Sequence, residues 1–96
     1  MPTRNLFTER SELNTAVDLW MSDEPAAITT YGDINTWDVS AITDFSYLFS
    51  TTRNSSAVSF NSDIGNWDVS SGQNFFAMFY RAQIFNQNLG NWDVSN

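Results

Sequence analysis

Apolar positions along the chain follow two different rhythms. Leu13, Ala16, Val17 and Trp20 fall at i, i+3, i+4 and i+7, the single stripe of a helix over about residues 9–21, with Thr8 as its N-cap and Glu9 and Glu12 in its first turn. A second short helix is predicted after Asp23, with Pro25 near its first turn and Gly32 just past its end. From residue 31 onward the rhythm becomes a repeat. Trp-Asp-Val-Ser occurs at 37–40, 67–70 and 92–95, and the last two copies close the longer frame Phe-Asn-x-x-Ile/Leu-Gly-Asn-Trp-Asp-Val-Ser. Gly-Asn before Trp67 and Trp92 signals a turn, and Trp-Asp-Val alternates as a strand does. Phe45, Leu48 and Phe49 match Phe75, Met78 and Phe79 at helical spacing, which predicts one or two turns of helix after each strand.

A repeated unit that cannot bury its apolar face alone must stack on a neighbour, so the pattern predicts an α/β repeat, a short solenoid of about 25-residue strand–helix coils under an N-terminal helical cap. The cap takes residues 1–30 and the repeats 31–96, divided as 31–59, 60–84 and a partial 85–96, all within one domain. Trp67 and Trp92 are 25 residues apart, but Trp37 and Trp67 are 30 apart. The five extra residues fall after Phe49, in the polar stretch 50–56, which is expected to be a surface loop. Repeat positions should stack as columns: Ile34/Ile64/Leu89, Trp37/Trp67/Trp92, Val39/Val69/Val94, Phe45/Phe75, Leu48/Met78, Phe49/Phe79 and Phe60/Phe85. Gly72 stands where Ile42 does and should loosen the second coil.

Composition narrows the chemistry. Eleven acidic residues face four arginines, with no lysine or histidine, a net charge of −7 that repels phosphate backbones and anionic lipid. Nucleic acid is thereby set aside as a partner. Without cysteine or histidine there is no thiolate site, no disulfide and no Ser-His-Asp apparatus. No apolar run approaches a membrane span, and the first residues lack the apolar core of a signal peptide. No cofactor is expected.

The frame from Phe60 to Ser70, followed by Met78-Phe79-Tyr80-x-Ala82, resembles the BspA-like surface-protein repeat, a domain of unknown function found in bacterial surface proteins and in microalgal proteins. Leu6-Phe7-Thr8 and Ala16-Val17-Asp18-Leu19-Trp20 are similar to the leader that precedes such repeats in microalgal proteins. The resemblance implies a leucine-rich-repeat-like array, usually surface-exposed or secreted and often called an adhesin, and it brings no catalytic residues.

Candidate sites follow from the columns. Asp38, Asp68 and Asp93 share one repeat position, so stacked coils bring carboxylates to about 5 Å, where like charges repel by about 3 kcal/mol at an effective dielectric of 20. Each carboxylate can accept N–H bonds from its own Asp-Val-Ser turn. The alternative is a calcium ladder that adds Asp63 and the side-chain amides of Asn61, Asn66 and Asn91. The local account is preferred because no Asp-x-Asp-x-Asp-Gly loop is present. Trp37, Trp67 and Trp92 recur with the apolar period, which favours the core over a sugar platform, and exposed binding residues are sought at Tyr47, Phe76 and Tyr80. Asn54-Ser55-Ser56 is an N-glycosylation acceptor in the inserted stretch. Carboxylate pairs such as Asp63 and Asp68 could in principle serve a glycosidase, but surface acids in so acidic a chain are solvating.

These features describe a non-enzymatic, adhesion-type domain with a protein or glycan partner, placed outside the cell or on its surface. The alternative is a structural accessory subunit packed in a larger assembly, as a soluble part of an organelle or membrane-associated complex. The C-terminal face, cut in mid-coil, is expected to be covered by further repeats, another subunit or a second copy.

Overall fold

The helical stripe forms where its period places it. In the computed structural model, which describes residues 5–94, α1 runs Arg10–Ser22 and buries Leu13, Ala16, Val17 and Trp20. Its N-cap is Glu9 rather than Thr8 and supplies no side-chain cap; the Thr8 hydroxyl donates to Glu12 at 3.3 Å instead. α2 runs Glu24–Tyr31. The Asp23 carboxylate accepts the Ala26 N–H at 3.3 Å, Pro25 lies in the first turn, and Gly32 ends the helix at φ 82°, a left-handed conformation suited to glycine. Phe7, Trp20 and Tyr31 close around Trp37 with ring centroids 5.2, 5.9 and 5.8 Å away, so the helical segment covers the first tryptophan of the repeat.

The rest of the chain is not the predicted strand–helix solenoid, leucine-rich-repeat-like or otherwise. Among the described residues no strand forms; strand-type pairing is limited to two isolated parallel bridges, Leu6 with Asp38 and Asp44 with Asn74. The extended run at Trp-Asp-Val is too short. Asp38 and Asp68 fold back onto Ser40 and Ser70, and the Val39 and Val69 carbonyls accept the N–H groups of Ile42 and Gly72 in tight turns. No helix follows either. Tyr47 and Ala77 hold φ of 59° and 53°, left-handed values that a right-handed helix cannot pass through, and the closures are three-residue ones, Leu48 N–H to Phe45 C=O and Ser50 N–H to Tyr47 C=O. The result is a small body of 36 × 26 × 23 Å in which turn-built repeats lie directly against one another.

Ring columns connect the repeats. Trp37 lies over Trp67 at 6.3 Å and 20°, Phe45 over Phe75 at 5.3 Å and 4°, Phe49 over Phe79 at 5.5 Å and 9°, and Phe60 over Phe85 at 5.7 Å and 6°. Indole nitrogens bind one repeat to the next: Trp67 donates to the Ile34 carbonyl at 2.7 Å and Trp92 to the Ile64 carbonyl at 3.0 Å, while Trp37 reaches Gly32 at 2.9 Å. Gly72 does not loosen its layer. A Cβ there would lie 2.4 Å from the tip of the Phe75 ring, so the ring occupies the space that a side chain would need. The inserted stretch also differs from a free surface loop. Ser50 is fully buried, and Arg53 and Asn54 bind Asp18 of α1, with a short 3-10 helix, Ser55–Ser59, placing Ala57 in the core.

Candidate interaction surfaces

The layers are held by a ladder with a direction. Amides of Phe45, Tyr47, Phe49 and Thr51 donate to the carbonyls of Asn74, Phe76, Met78 and Tyr80 at 2.8, 3.0, 2.8 and 3.2 Å. The carbonyls of Phe45 and Tyr47 are turned back into their own turns, so along residues 45–51 the first repeat donates to the second, while the Thr43 carbonyl takes the Gln73 and Asn74 amides in the reverse direction at 2.7 and 3.2 Å. On the helical side of the first repeat, the exposed acceptors are closed by guanidinium groups. Arg10 donates to the Asp44 carbonyl at 2.9 Å and to that of Ser46, while Nε and Nη2 of Arg53 donate to the Leu48 carbonyl at 3.1 and 2.8 Å. Asp44 and Asp18 in turn pair with Arg10 and Arg53 at 3.4 and 2.9 Å. Sequence reasoning missed this use of the arginines; the available signal was two isolated cations in an acidic chain.

At the other end the same ladder is open. Among the described residues no acceptor meets the amides of Phe75, Ala77, Phe79 and Arg81, the repeat equivalents of the four donors above. Beside them Phe75, Met78, Phe79, Leu89, Trp92 and Val94 line a shallow apolar depression of about 490 Å³.

A second surface runs along the side of the layers. Tyr47 and Phe76 meet edge to face at 5.7 Å, and with Thr52, Ala77 and Tyr80 they line a depression of about 280 Å³. Phe76 is 67% exposed and Tyr80 47%. The Arg81 guanidinium stands 5.1 Å from the Tyr80 ring centre, a cation–π contact at the edge of the patch. The three residues singled out as exposed candidates, Tyr47, Phe76 and Tyr80, are neighbours, although Tyr47 is half-buried. Trp37 and Trp67 are buried and Trp92 is half-buried, with their indole N–H groups committed to backbone.

The aspartates have local partners. Asp38 accepts the Ser40 amide at 3.0 Å and its hydroxyl at 2.6 Å, Asp68 accepts the same groups of Ser70 at the same distances, and Asp63 accepts the Gly65 amide at 2.8 Å. The hydroxyl and amide of Ser70 hold the Asp68 carboxyl below its ordinary value, against slight desolvation and the charge of Asp93. Asp44 is lowered in the same way by Ser46, with a smaller contribution from Arg10. Among the described residues no cluster of three acidic side chains could hold a metal. The amides considered as calcium ligands tie layers together instead: Asn66 donates to Asn35, and Asn61 accepts from the Asn86 amide at 2.8 Å and from Gln87 at 2.9 Å. Asn91 is exposed, and the Ser95 that closes the third Trp-Asp-Val-Ser lies outside the described residues. Asn54 is half-buried. Its nitrogen donates to Asp18 at 2.9 Å and its oxygen accepts the Ser56 amide at 3.0 Å.

Among the described residues no helix is long and apolar enough to cross a membrane. A family model described as "Mycoplasma protein of unknown function, DUF285" matches residues 4–96, and the chain belongs to that family. Searches of curated proteins and of solved structures give no match.

Proposed function

We propose that this member of the DUF285 family is a non-enzymatic interaction domain of the BspA-like, adhesion type, exposed on a cell surface or secreted, whose binding face is the lateral patch of Tyr47, Phe76 and Tyr80. One observation carries the proposal. Phe76 keeps two thirds of its surface in water although its carbonyl is bonded to the Tyr47 amide of the first layer and its amide to the Asn74 side chain, and it shares a concavity with Tyr47 and Tyr80. Rigid aromatic rings with a polar handle, few rotamers and an adjacent cation suit a protein or glycan partner, since they bury large area at low entropic cost. The partner class is tested by coating beads with the protein and measuring retention on immobilised oligosaccharides and on extracellular matrix proteins. The F76S/Y80S double variant, which removes only exposed rings, should melt as the parent does and lose about ten-fold or more in retention. Equal retention by parent and variant would remove the lateral patch from the binding face.

A second use is favoured by the open terminal ladder. An accessory subunit packed in a larger assembly also presents apolar surface that only a neighbour covers, and the half-covered Leu89 and Trp92 beside the exposed Val94 form such a surface.

A further inference from the structure

We infer that the lateral concavity takes an acidic sugar, a pyranose ring of uronic-acid type within a glycan, with its apolar face on the rings of Phe76 and Tyr80 and its carboxylate on Arg81. The inference rests on the proposed role of this patch and assigns the class of its partner. The first observation is that the repeat itself does not require these side chains. In the first repeat Ser46, Ser50 and Thr51 stand where the second has Phe76, Tyr80 and Arg81. The register is shared, since the amides of Tyr47 and Thr51 donate to the carbonyls of Phe76 and Tyr80. Ser50 is fully buried, whereas Tyr80 and Phe76 face solvent. Two exposed rings and a cation thus replace small polar side chains on a backbone that accepts either set.

The second observation is the state of Arg81. Arg10 and Arg53 are committed to Asp44, Asp18 and backbone carbonyls, whereas Arg81 meets no carboxylate among the described residues and stands 5.1 Å from the Tyr80 ring centre. Its φ of 64° is left-handed, a conformation that its equivalent Thr51 does not share, so the repeat geometry does not impose it. The charge complement of this edge is an anion, and the planar guanidinium fork matches a carboxylate. No acid lines the depression, and repulsion from acids elsewhere in this chain of net charge −7 is screened beyond about 8 Å at physiological salt. The third observation separates a sugar from a peptide. The carbonyls of Phe76 and Tyr80 are bonded to the Tyr47 and Thr51 amides, the Phe76 amide to the Asn74 side chain and the Tyr80 amide to the Ala77 carbonyl. An extended peptide, which draws affinity from main-chain bonds, finds no backbone partner at these two residues. What the depression offers is ring faces bordered by the hydroxyl-bearing side chains of Tyr47, Thr52 and Tyr80, and its volume of about 280 Å³ lies below the about 300–1,000 Å³ of sites that enclose a whole small molecule. One sugar ring of a longer chain has the matching surface, an apolar C–H face edged by hydroxyls.

The test measures retention of beads coated with the whole chain, at about 0.15 M salt, on immobilised oligosaccharides of galacturonate, glucuronate and mannuronate, each beside its carboxyl-reduced counterpart, which keeps ring and linkage and loses only the charge. At least one acidic oligosaccharide should retain the parent about ten-fold or more better than its reduced form does. Arg81→Asn, which installs a residue type that tolerates the left-handed backbone, should bring that retention down to the level of the reduced form. F76S/Y80S should lose retention on both. Equal retention on every acidic and reduced pair, or an R81N variant that still discriminates between them, would overturn the acidic-sugar assignment. Retention of the parent by extracellular matrix proteins alone, lost in F76S/Y80S, would also overturn it, while keeping the lateral patch as a protein-binding face. Retention that F76S/Y80S leaves unchanged would bring down the patch itself, so the two failures are told apart.

Discussion

A tryptophan at the centre of this repeat does something that a phenylalanine cannot. The Trp67 ring is buried against Trp37 and Phe49, and its indole N–H reaches across the layer to the Ile34 carbonyl at 2.7 Å. Trp67→Ala removes both the ring and the bond and should cost about 3 to 5 kcal/mol, the range for a large buried aromatic. Trp67→Phe keeps most of the packing and loses the bond, and because Ile34 still accepts the Trp37 amide, no carbonyl is stranded; a cost nearer 1 to 2 kcal/mol follows. Urea unfolding of the two variants checks the difference. A Phe variant as damaged as the Ala variant would mean that the hydrogen bond, not the ring, dominates. Asp-x-Ser in the same frame is likewise a local device at Asp38 and Asp68, whose carboxylates each accept the amide and the hydroxyl of the serine two residues on.

At the scale of elements, the legible and illegible parts of the chain separate by where their backbone bonds go. The helices could be read because their bonds are local: the stripe at Leu13, Ala16, Val17 and Trp20 and the Asp23–Pro25–Gly32 punctuation mark α1 and α2. The ring pairs Trp37/Trp67, Phe45/Phe75, Phe49/Phe79 and Phe60/Phe85 and the burial of Trp37 and Trp67 follow the period, and of the three rings sought at the surface Phe76 and Tyr80 are exposed while Tyr47 is half-buried. Phe45–Phe49 misled because Phe-x-x-Leu-Phe spacing is satisfied equally by a helix and by a turn that places its first, fourth and fifth residues inward, and the deciding amides bind a repeat about 29 residues away. Left-handed φ at Tyr47 and Ala77 has no sequence mark, since neither is glycine or asparagine. The frame glycine does have a physical reason. A Cβ on Gly65 would stand 2.7 Å from the Asn88 carbonyl oxygen, so the third layer can approach only if position 65 carries no side chain. Gly65→Ala should push residues 85–94 away and cost about 1 to 3 kcal/mol, with faster exchange of the Trp92 indole N–H than in the parent. Unchanged exchange of that proton would show that the layer yields without losing contact.

For the molecule as a whole, stability should fall along the chain in the direction in which the ladder points. The first repeat is covered on both sides, by α1 and Phe7 on one and by the second repeat on the other, and Phe45, Leu48 and Phe49 are fully buried. The second repeat keeps Ile64, Trp67, Val69 and Met78 inside but leaves Phe75 and Phe79 half-covered, and in the third Phe85, Leu89 and Trp92 are all half-covered and Val94 is exposed. Packing and bonding decline together, because the amides that would bind a following layer are the ones without acceptors among the described residues. Local opening then needs the least free energy at the third layer and the most at the junction of helices and first repeat. Native-state hydrogen exchange should accordingly rank the amides of Phe45 and Phe49 as slowest, Met78 and Ala82 as intermediate and Trp92 as fastest, with Phe49 and Trp92 differing by about a hundred-fold or more, ~2.7 kcal/mol. The comparison is internal to one sample and independent of any partner. Equal protection at Phe49 and Trp92 would mean that the layers open as one unit, and that the half-covered third layer contributes as much to the cooperative core as the layer beneath the helices.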